Sequence, residues 1–182
     1  MKILLTGGEG FIGSSFVKKF YKEFDFVIIS SKKNDFKKIA KTEYLSITNK
    51  KIIKTIENLN PDIVIHLAGL SGLKKCETEP EKAFDVNVNG TTNVIKGCLK
   101  INAKLIHIST DCVFSSDKKE PYIETDEKDG RGVYAKTKGL GEIISDKHLT
   151  LRTSVVGPEL KNNGEELFHW FMDQSGEIPG YT

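Results

Sequence analysis

The chain has 182 residues, enough for one domain with a sizeable core. Its 27 Lys and Arg against 25 Asp and Glu leave a net charge of +2, and the lysines are scattered in pairs such as Lys18-Lys19, Lys37-Lys38 and Lys118-Lys119, which argues against a nucleic-acid footprint. Three cysteines (Cys76, Cys98 and Cys112) without a Cys-x-x-Cys argue against a disulfide framework and a structural zinc, and no apolar stretch approaches the roughly 20 residues of a membrane span.

The first expected element is a short buried strand, Ile3-Leu4-Leu5. It starts at Lys2 with no basic-apolar-small leader pattern, so a soluble protein of the reducing cytoplasm is expected. Directly after it comes Thr6-Gly7-Gly8-Glu9-Gly10-Phe11-Ile12-Gly13, which opens an amphipathic helix from Phe11 to Lys22. Glycines allow a tight turn and let a pyrophosphate approach the backbone, and the free N–H groups of the following helix attract the phosphates. The pattern therefore predicts dinucleotide binding at Gly7, Gly10, Phe11, Ile12 and Gly13.

The second strand covers Phe26 to Ile29. A carboxylate at its end would hold the adenosine ribose of NAD. The residues there are Ser30-Ser31-Lys32-Lys33, hydroxyls and cations that suit a 2′-phosphate, with Asp35 a little further on. NADP is expected over NAD, and NAD is kept as the alternative.

Asn49 to Asn60 reads as a helix ended by Pro61, and Asp62 to Leu67 as a strand. Pro80 to Lys100 reads as one long helix with proline in its first turn. Lys104 to Ser109 is the next strand, Tyr134 to Ser145 a helix, Leu149 to Arg152 a strand and Glu165 to Gln174 a last helix. Short apolar strands alternating with helices predict an α/β fold, a doubly wound parallel sheet covered on both faces. The polar stretch from Ser115 to Gly132, with its Glu124-Thr125-Asp126-Glu127 run, is a long loop of the kind that is often functional.

Tyr134 and Lys138 stand four residues apart, so on a helix they leave the same face. An ammonium beside a phenol favours the phenolate and brings a group whose pKa is about 10 towards use near neutrality. His66 and His107 lie inside strands and read as core or near-site residues, not as metal ligands; no metal is expected.

These residues in combination resemble the extended branch of the short-chain dehydrogenase/reductase family. The carriers are Thr6-Gly7-x-x-Gly10-x-x-Gly13, Leu67-Ala68-Gly69, Asn87 in Val86-Asn87-Val88, and Tyr134-x-x-x-Lys138, spread over residues 2 to 160. Ser109-Thr110-Asp111-Cys112-Val113-Phe114 is similar to the Ser-Thr-Asp-Tyr-Val-Phe of dTDP-4-dehydrorhamnose reductases, as are Pro121-Tyr122-x-Glu124-x-Asp126 and Glu77-x-Glu79-Pro80. The resemblance implies a Rossmann domain over 1–156 and, over 157–182, only the start of a small C-terminal substrate domain. It implies Thr110 as the hydroxyl on the substrate oxygen, Tyr134 as proton donor and Lys138 as its partner on the nicotinamide ribose. Ser109 has a rival claim, but the strand's alternation turns it to the other face.

The cofactor set implied is the glycine turn with Ser30, Ser31, Lys32, Ile47, Leu67, Ala68, Gly69, Ser109, Tyr134 and Lys138. The implied activity is reduction of a 4-keto nucleotide sugar. A nucleotide-sugar 4-epimerase with tightly held NAD uses the same three residues, and a regulatory subunit without turnover is the reading from another class. A homodimer through paired helices is implied too. Cys112 departs from the reductase motif, Ser46-Ile47-Thr48 departs at the adenine segment, and Ser71-Gly72-Leu73-Lys74-Lys75 departs beyond Gly69.

Overall fold

The computed structural model describes residues 1–32, 36–158 and 167–177. Six strands form one parallel sheet in the order β3-β2-β1-β4-β5-β6. They are β1 (Lys2–Thr6), β2 (Asp25–Ser30), β3 (Lys41–Tyr44), β4 (Ile63–His66), β5 (Lys104–Ser109) and β6 (Leu149–Arg152). The order reverses between β1 and β4, and a crevice opens beyond the carboxyl ends of strands at such a point. This is the doubly wound Rossmann arrangement the sequence predicts.

Adjacent residues of the central strands feed opposite faces of the sheet, as the pleat requires. Leu4 and Ile29 join Ile52, Ile56, Val64, Val94 and Leu105 in one core cluster. Leu5 and Ile28 join Val17 and Phe36 in another. The first cluster lies under α2 (Lys51–Leu59) and α5 (Thr91–Lys100), and the second under α1 (Phe11–Phe20). β3 has no apolar run and was not predicted. Among the described residues it is an edge strand paired to β2 alone, so its Lys-Thr-Glu-Tyr can stay partly in water.

The helix α2 ends where Asn60 adopts the left-handed conformation and its N–H bonds Ile56 O at 3.0 Å, just before Pro61. The segment Pro80 to Lys100 is helical throughout but not uniform. It consists of α4 (Pro80–Phe84), a wider π-helical turn over Asp85–Gly90, and α5. The short α3 (Leu73–Thr78) was not predicted. The helix expected over 134–145 is α6 (Gly132–Gly141); Glu142 leaves it in an extended conformation. Likewise α1 stops at Phe20 and not at Lys22. α7 (Leu167–Met172) falls within the helix expected at 165–174, and Trp170 and Phe171 on it are about half exposed, at 48% and 58%. No helix among the described residues is long and apolar enough to cross a membrane.

Candidate active site

The turn after β1 is shaped by missing side chains. Gly7 has φ +71°, and a Cβ there would stand 2.7 Å from Ala68 N. A Cβ on Gly13 would stand 2.6 Å from Gly7 O. The turn, the start of α1 and the Leu67-Ala68 backbone thus meet at a distance no other residue permits. Gly7 N–H donates to Ile29 O (3.2 Å) and Gly10 N–H to Gly7 O (3.1 Å), which ties the turn to β2 and closes it. No side chain caps the start of α1, so its first N–H groups remain available to an anion. Glu9 belongs to the same turn, and its buried Oε2 has no hydrogen-bond partner among the described residues.

At the end of β2, Ser30 is buried and its hydroxyl closes a local turn, donating to Lys32 O (2.7 Å) and accepting from Lys32 N–H (3.0 Å). Ser31 and Lys32 are exposed beside it. Lys33 and Asp35 lie outside the described residues. Ile47 sits in the first core cluster, with its carbonyl accepting from Asn93 Nδ2 at 3.0 Å. The neighbouring Ser46 hydroxyl bonds Thr48 Oγ1 at 2.9 Å.

Behind the turn, His66 at the end of β4 is fully buried. Its Nδ1 pairs with Thr6 Oγ1 (2.6 Å) and its Nε2 with Thr91 Oγ1 (3.0 Å). Leu67 and Ala68 N–H groups bond Thr6 O and Thr6 Oγ1 at 3.1 and 3.3 Å. Beyond them, Leu70 exchanges two bonds with the Asn87 side chain, at 2.8 and 3.1 Å. Asn87 lies in the π-helical turn, and its Nδ2 also reaches Thr137 Oγ1 on α6 at 3.1 Å. Such turns often occur at functional sites. Here the wider turn carries the amide that links the end of β4 to the helix of Tyr134 and Lys138.

α6 begins next to α3, where the Glu77 carboxylate accepts from Val133 N–H (2.7 Å), one residue before Tyr134. Tyr134 is partly buried. One turn on, Lys138 Nζ donates to Ile108 O at 2.8 Å, and a Cβ on Gly69 would lie 3.8 Å from that Nζ. The lysine therefore lies between the ends of β4 and β5. Burial lowers its pKa to about 8, against a pull upward from Glu142.

Thr110 follows β5 in an extended conformation and is buried. Its hydroxyl accepts from Cys112 N–H (3.2 Å) and donates to Asp111 Oδ1 (3.1 Å), so engaging a further acceptor requires it to release Asp111. The bond from Ser154 is the largest influence on Asp111; with the Thr110 bond it keeps that carboxyl below its usual range despite burial. Ser109 turns elsewhere and donates to Glu142 Oε1 at 2.6 Å.

A family model described as RmlD substrate binding domain matches residues 1–176. The chain belongs to this family. Among RmlD-type relatives, a dTDP-4-dehydrorhamnose reductase of Aggregatibacter actinomycetemcomitans is 31% identical over 167 residues, covering 89% of this chain and 54% of the relative. The spore coat polysaccharide biosynthesis protein SpsK of Bacillus subtilis is 30% identical over 156 residues, covering 85% and 51%. A dTDP-4-dehydrorhamnose reductase structure from Bacillus anthracis, in complex with NADP, superposes with a TM-score of 0.72 at 27% identity, over 83% of this chain and 52% of that one. The chain spans about half the length of the curated relatives it matches.

Several residues that hold this candidate site together are not legible as site residues in the sequence. Asn87 and Glu77 enter the sequence reading only as parts of motifs, and Lys128 and Arg152, whose cations lie 3.3 and 2.8 Å from the Glu142 carboxylate, carry no pattern that points to chemistry, nor does Glu142 itself. The nearest signal is the charge of Arg152 at the end of a strand, beside central strands built on apolar runs. Among the described residues no group of three or more His, Cys, Asp or Glu could hold a metal ion.

Proposed function

We propose that this chain is the nicotinamide-binding portion of an NADPH-dependent reductase of a 4-keto nucleotide sugar, of the dTDP-4-dehydrorhamnose reductase kind. In this reading residues 1–156 form the dinucleotide domain and 157–182 begin a substrate domain. The observation that carries it is the convergence of Lys138 Nζ, Ile108 O and Gly69 at the ends of β4 and β5, with Tyr134 one helical turn away. The matched relatives, two of them reductases and one of those holding NADP, support the same reading.

The cradle fits a dinucleotide. Gly7 and Gly13 leave space that a Cβ would fill, and α1 starts uncapped. The turn residues Gly7, Gly10, Phe11, Ile12 and Gly13 would hold the pyrophosphate, and Ser31 with Lys32 the 2′-phosphate. When bound, the reduced nicotinamide supplies a hydride for a carbonyl carbon. Tyr134 gives its phenolic proton to the oxygen that becomes an alkoxide. Thr110 orients and polarises that oxygen once its hydroxyl turns from Asp111. Lys138, protonated near neutrality, favours the tyrosinate left behind and reaches the ribose hydroxyls.

Turnover of dTDP-4-dehydrorhamnose with NADPH by the full chain tests the reading, together with fluorescence titration by NADPH and NADH. NADPH is expected to bind tighter, and tighter NADH overturns the cofactor assignment. Tyr134→Phe is expected to lose about a thousandfold in kcat while NADPH binding persists. Full activity in that variant overturns the role of Tyr134. Purification with cofactor bound, and conversion without added reductant, would mark an epimerase instead.

A further inference from the structure

The helix of Tyr134 and Lys138 ends at a buried carboxylate that no step above uses. The Glu142 side chain is 1% exposed. Arg152, at the end of β6, grips it with two bonds, Nε to Oε1 at 2.9 Å and Nη2 to Oε2 at 2.8 Å. Ser109 donates to Oε1 (2.6 Å), and Lys128 Nζ lies 3.3 Å from Oε2. Each donor belongs to a different element. Ser109 is covalently next to Thr110. Lys128 lies in the long loop and also donates to Gly139 O on α6. Arg152 also reaches Glu124 O in the same loop (3.1 Å) and stacks over the Phe114 ring, at 4.9 Å from its centroid.

We propose that Glu142 is a positioning residue for the reductase chemistry: its buried carboxylate locks the Ser109-Thr110 strand end, the helix of Tyr134 and Lys138, and the loop 115–131 into one unit, and supplies the negative charge that Lys138 faces. The inference rests on the function proposed above. The hydroxyl and ammonium groups of that chemistry sit just after β5 (Thr110) and on α6 (Tyr134 and Lys138), and Lys138 already ties the two through Ile108 O at 2.8 Å. Glu142 joins them through Ser109 on one side and Gly141 on the other.

Besides the Tyr134 phenol one turn before it on α6, the titratable groups that interact with Lys138 include two histidines and a carboxylate. His66 from β4 and His107 from β5 stack on each other at 5.1 Å, and burial lowers the pKa of both, so they face the lysine as neutral rings. Glu142 comes from the end of its own helix, with Arg152 and Lys128 neutralising it from β6 and the loop. Replacing Glu142 by Gln keeps the volume and a Ser109 bond but removes the charge.

Two readouts separate positioning from a purely structural carboxylate. In Glu142→Gln, kcat on the keto sugar is expected to fall about a hundredfold with NADPH affinity unchanged. The titration of Lys138, followed by NMR of lysine labelled at the ε-carbon and assigned by its loss in Lys138→Met, is expected to move to lower pH. An unchanged Lys138 titration in a folded variant overturns the proposal, whatever the turnover. If the single variant does not fold, Glu142→Gln with Arg152→Met removes the partner cation as well and is read by turnover: wild-type kcat in that folded double variant overturns the proposal. Wild-type protein without turnover on any 4-keto nucleotide sugar would sink the proposed function, and the Lys138 titration would still decide the role of Glu142.

Discussion

The two ends of the site are built by opposite means. At β1-α1 the backbone segments come together because Gly7 and Gly13 lack a side chain, and every contact there is local or between neighbouring strands. At β5-α6-β6 the segments come together because a carboxylate is buried among three donors from three elements. The first end is shaped by absence, and no ion pair among the described residues holds it together. The second depends on charges that are costly to bury singly and tolerable only together. Substitutions should therefore fail differently at the two ends.

The largest effect is expected at the second end. Arg152→Met leaves Glu142 buried with Ser109 and Lys128 only, and should cost about 3–5 kcal/mol in urea denaturation. The paired variant Arg152→Met with Glu142→Gln leaves no orphan carboxylate and should recover much of that loss. A double variant as unstable as the sum of its parts would mean that the two side chains are not energetically coupled. Linkage adds a sign. Burial alone would raise the pKa of Glu142, but the bonds from Arg152 and Ser109 and the charges of Arg152 and Lys128 hold it below the usual carboxylate range. Its stabilising share is therefore present above the unfolded value, and is lost as pH falls through the folded one.

At the first end, Gly13→Ala puts a methyl 2.6 Å from Gly7 O, against backbone that cannot swing away. About 1–3 kcal/mol of stability should be lost by overpacking. NADPH binding should fall further than stability does, since the turn must open where the pyrophosphate would lie. Binding that survives intact would separate the turn from the cofactor. Because this end carries no buried ion pair, its losses should not grow steeper in acid, whereas those of Arg152→Met should change as Glu142 titrates.

The same contrast explains what could be read from the sequence. Central strands announce themselves as apolar runs, and the glycine spacing names its own geometry, so Ile3 to Gly13, Phe26 to Ile29 and Ile63 to Gly69 were legible. The edge strand Lys41–Tyr44 was not, because a strand paired on one side and partly wet need not be apolar. The wide turn at Asp85–Gly90 has ordinary helix-forming neighbours and no residue that demands it. The end of α6 was misjudged because Glu142 looks like a good helix residue; what pulls it out of the helix is Arg152 and Ser109, ten and thirty-three positions away. Ser109 and Thr110, adjacent along the chain, send their hydroxyls to different partners.

The seam between the two ends offers the smallest and most specific test. His66, tied to Thr6 and Thr91, belongs to the first; His107, stacked on it and facing Lys138 and Glu142, belongs to the second. Both His107 ring nitrogens are buried without a hydrogen-bond partner among the described residues, and burial first, then the Lys138 charge, lowers its pKa to about 3. The folded protein thus keeps this ring neutral while the unfolded chain protonates it below about 6.5. Stability is full above that value and falls with acidification down to the folded pKa, at about 1.4 kcal/mol per pH unit for each such histidine. His66 acts in the same direction. His107→Phe keeps a ring for the stack and removes one titrating group, so its stability should fall less steeply between about pH 6 and 5, a window above the carboxylates. Urea midpoints across that window measure the slope. A slope unchanged from wild type would mean that His107 takes up its proton in the folded protein, with Lys138 and Glu142 rearranged around a charged ring.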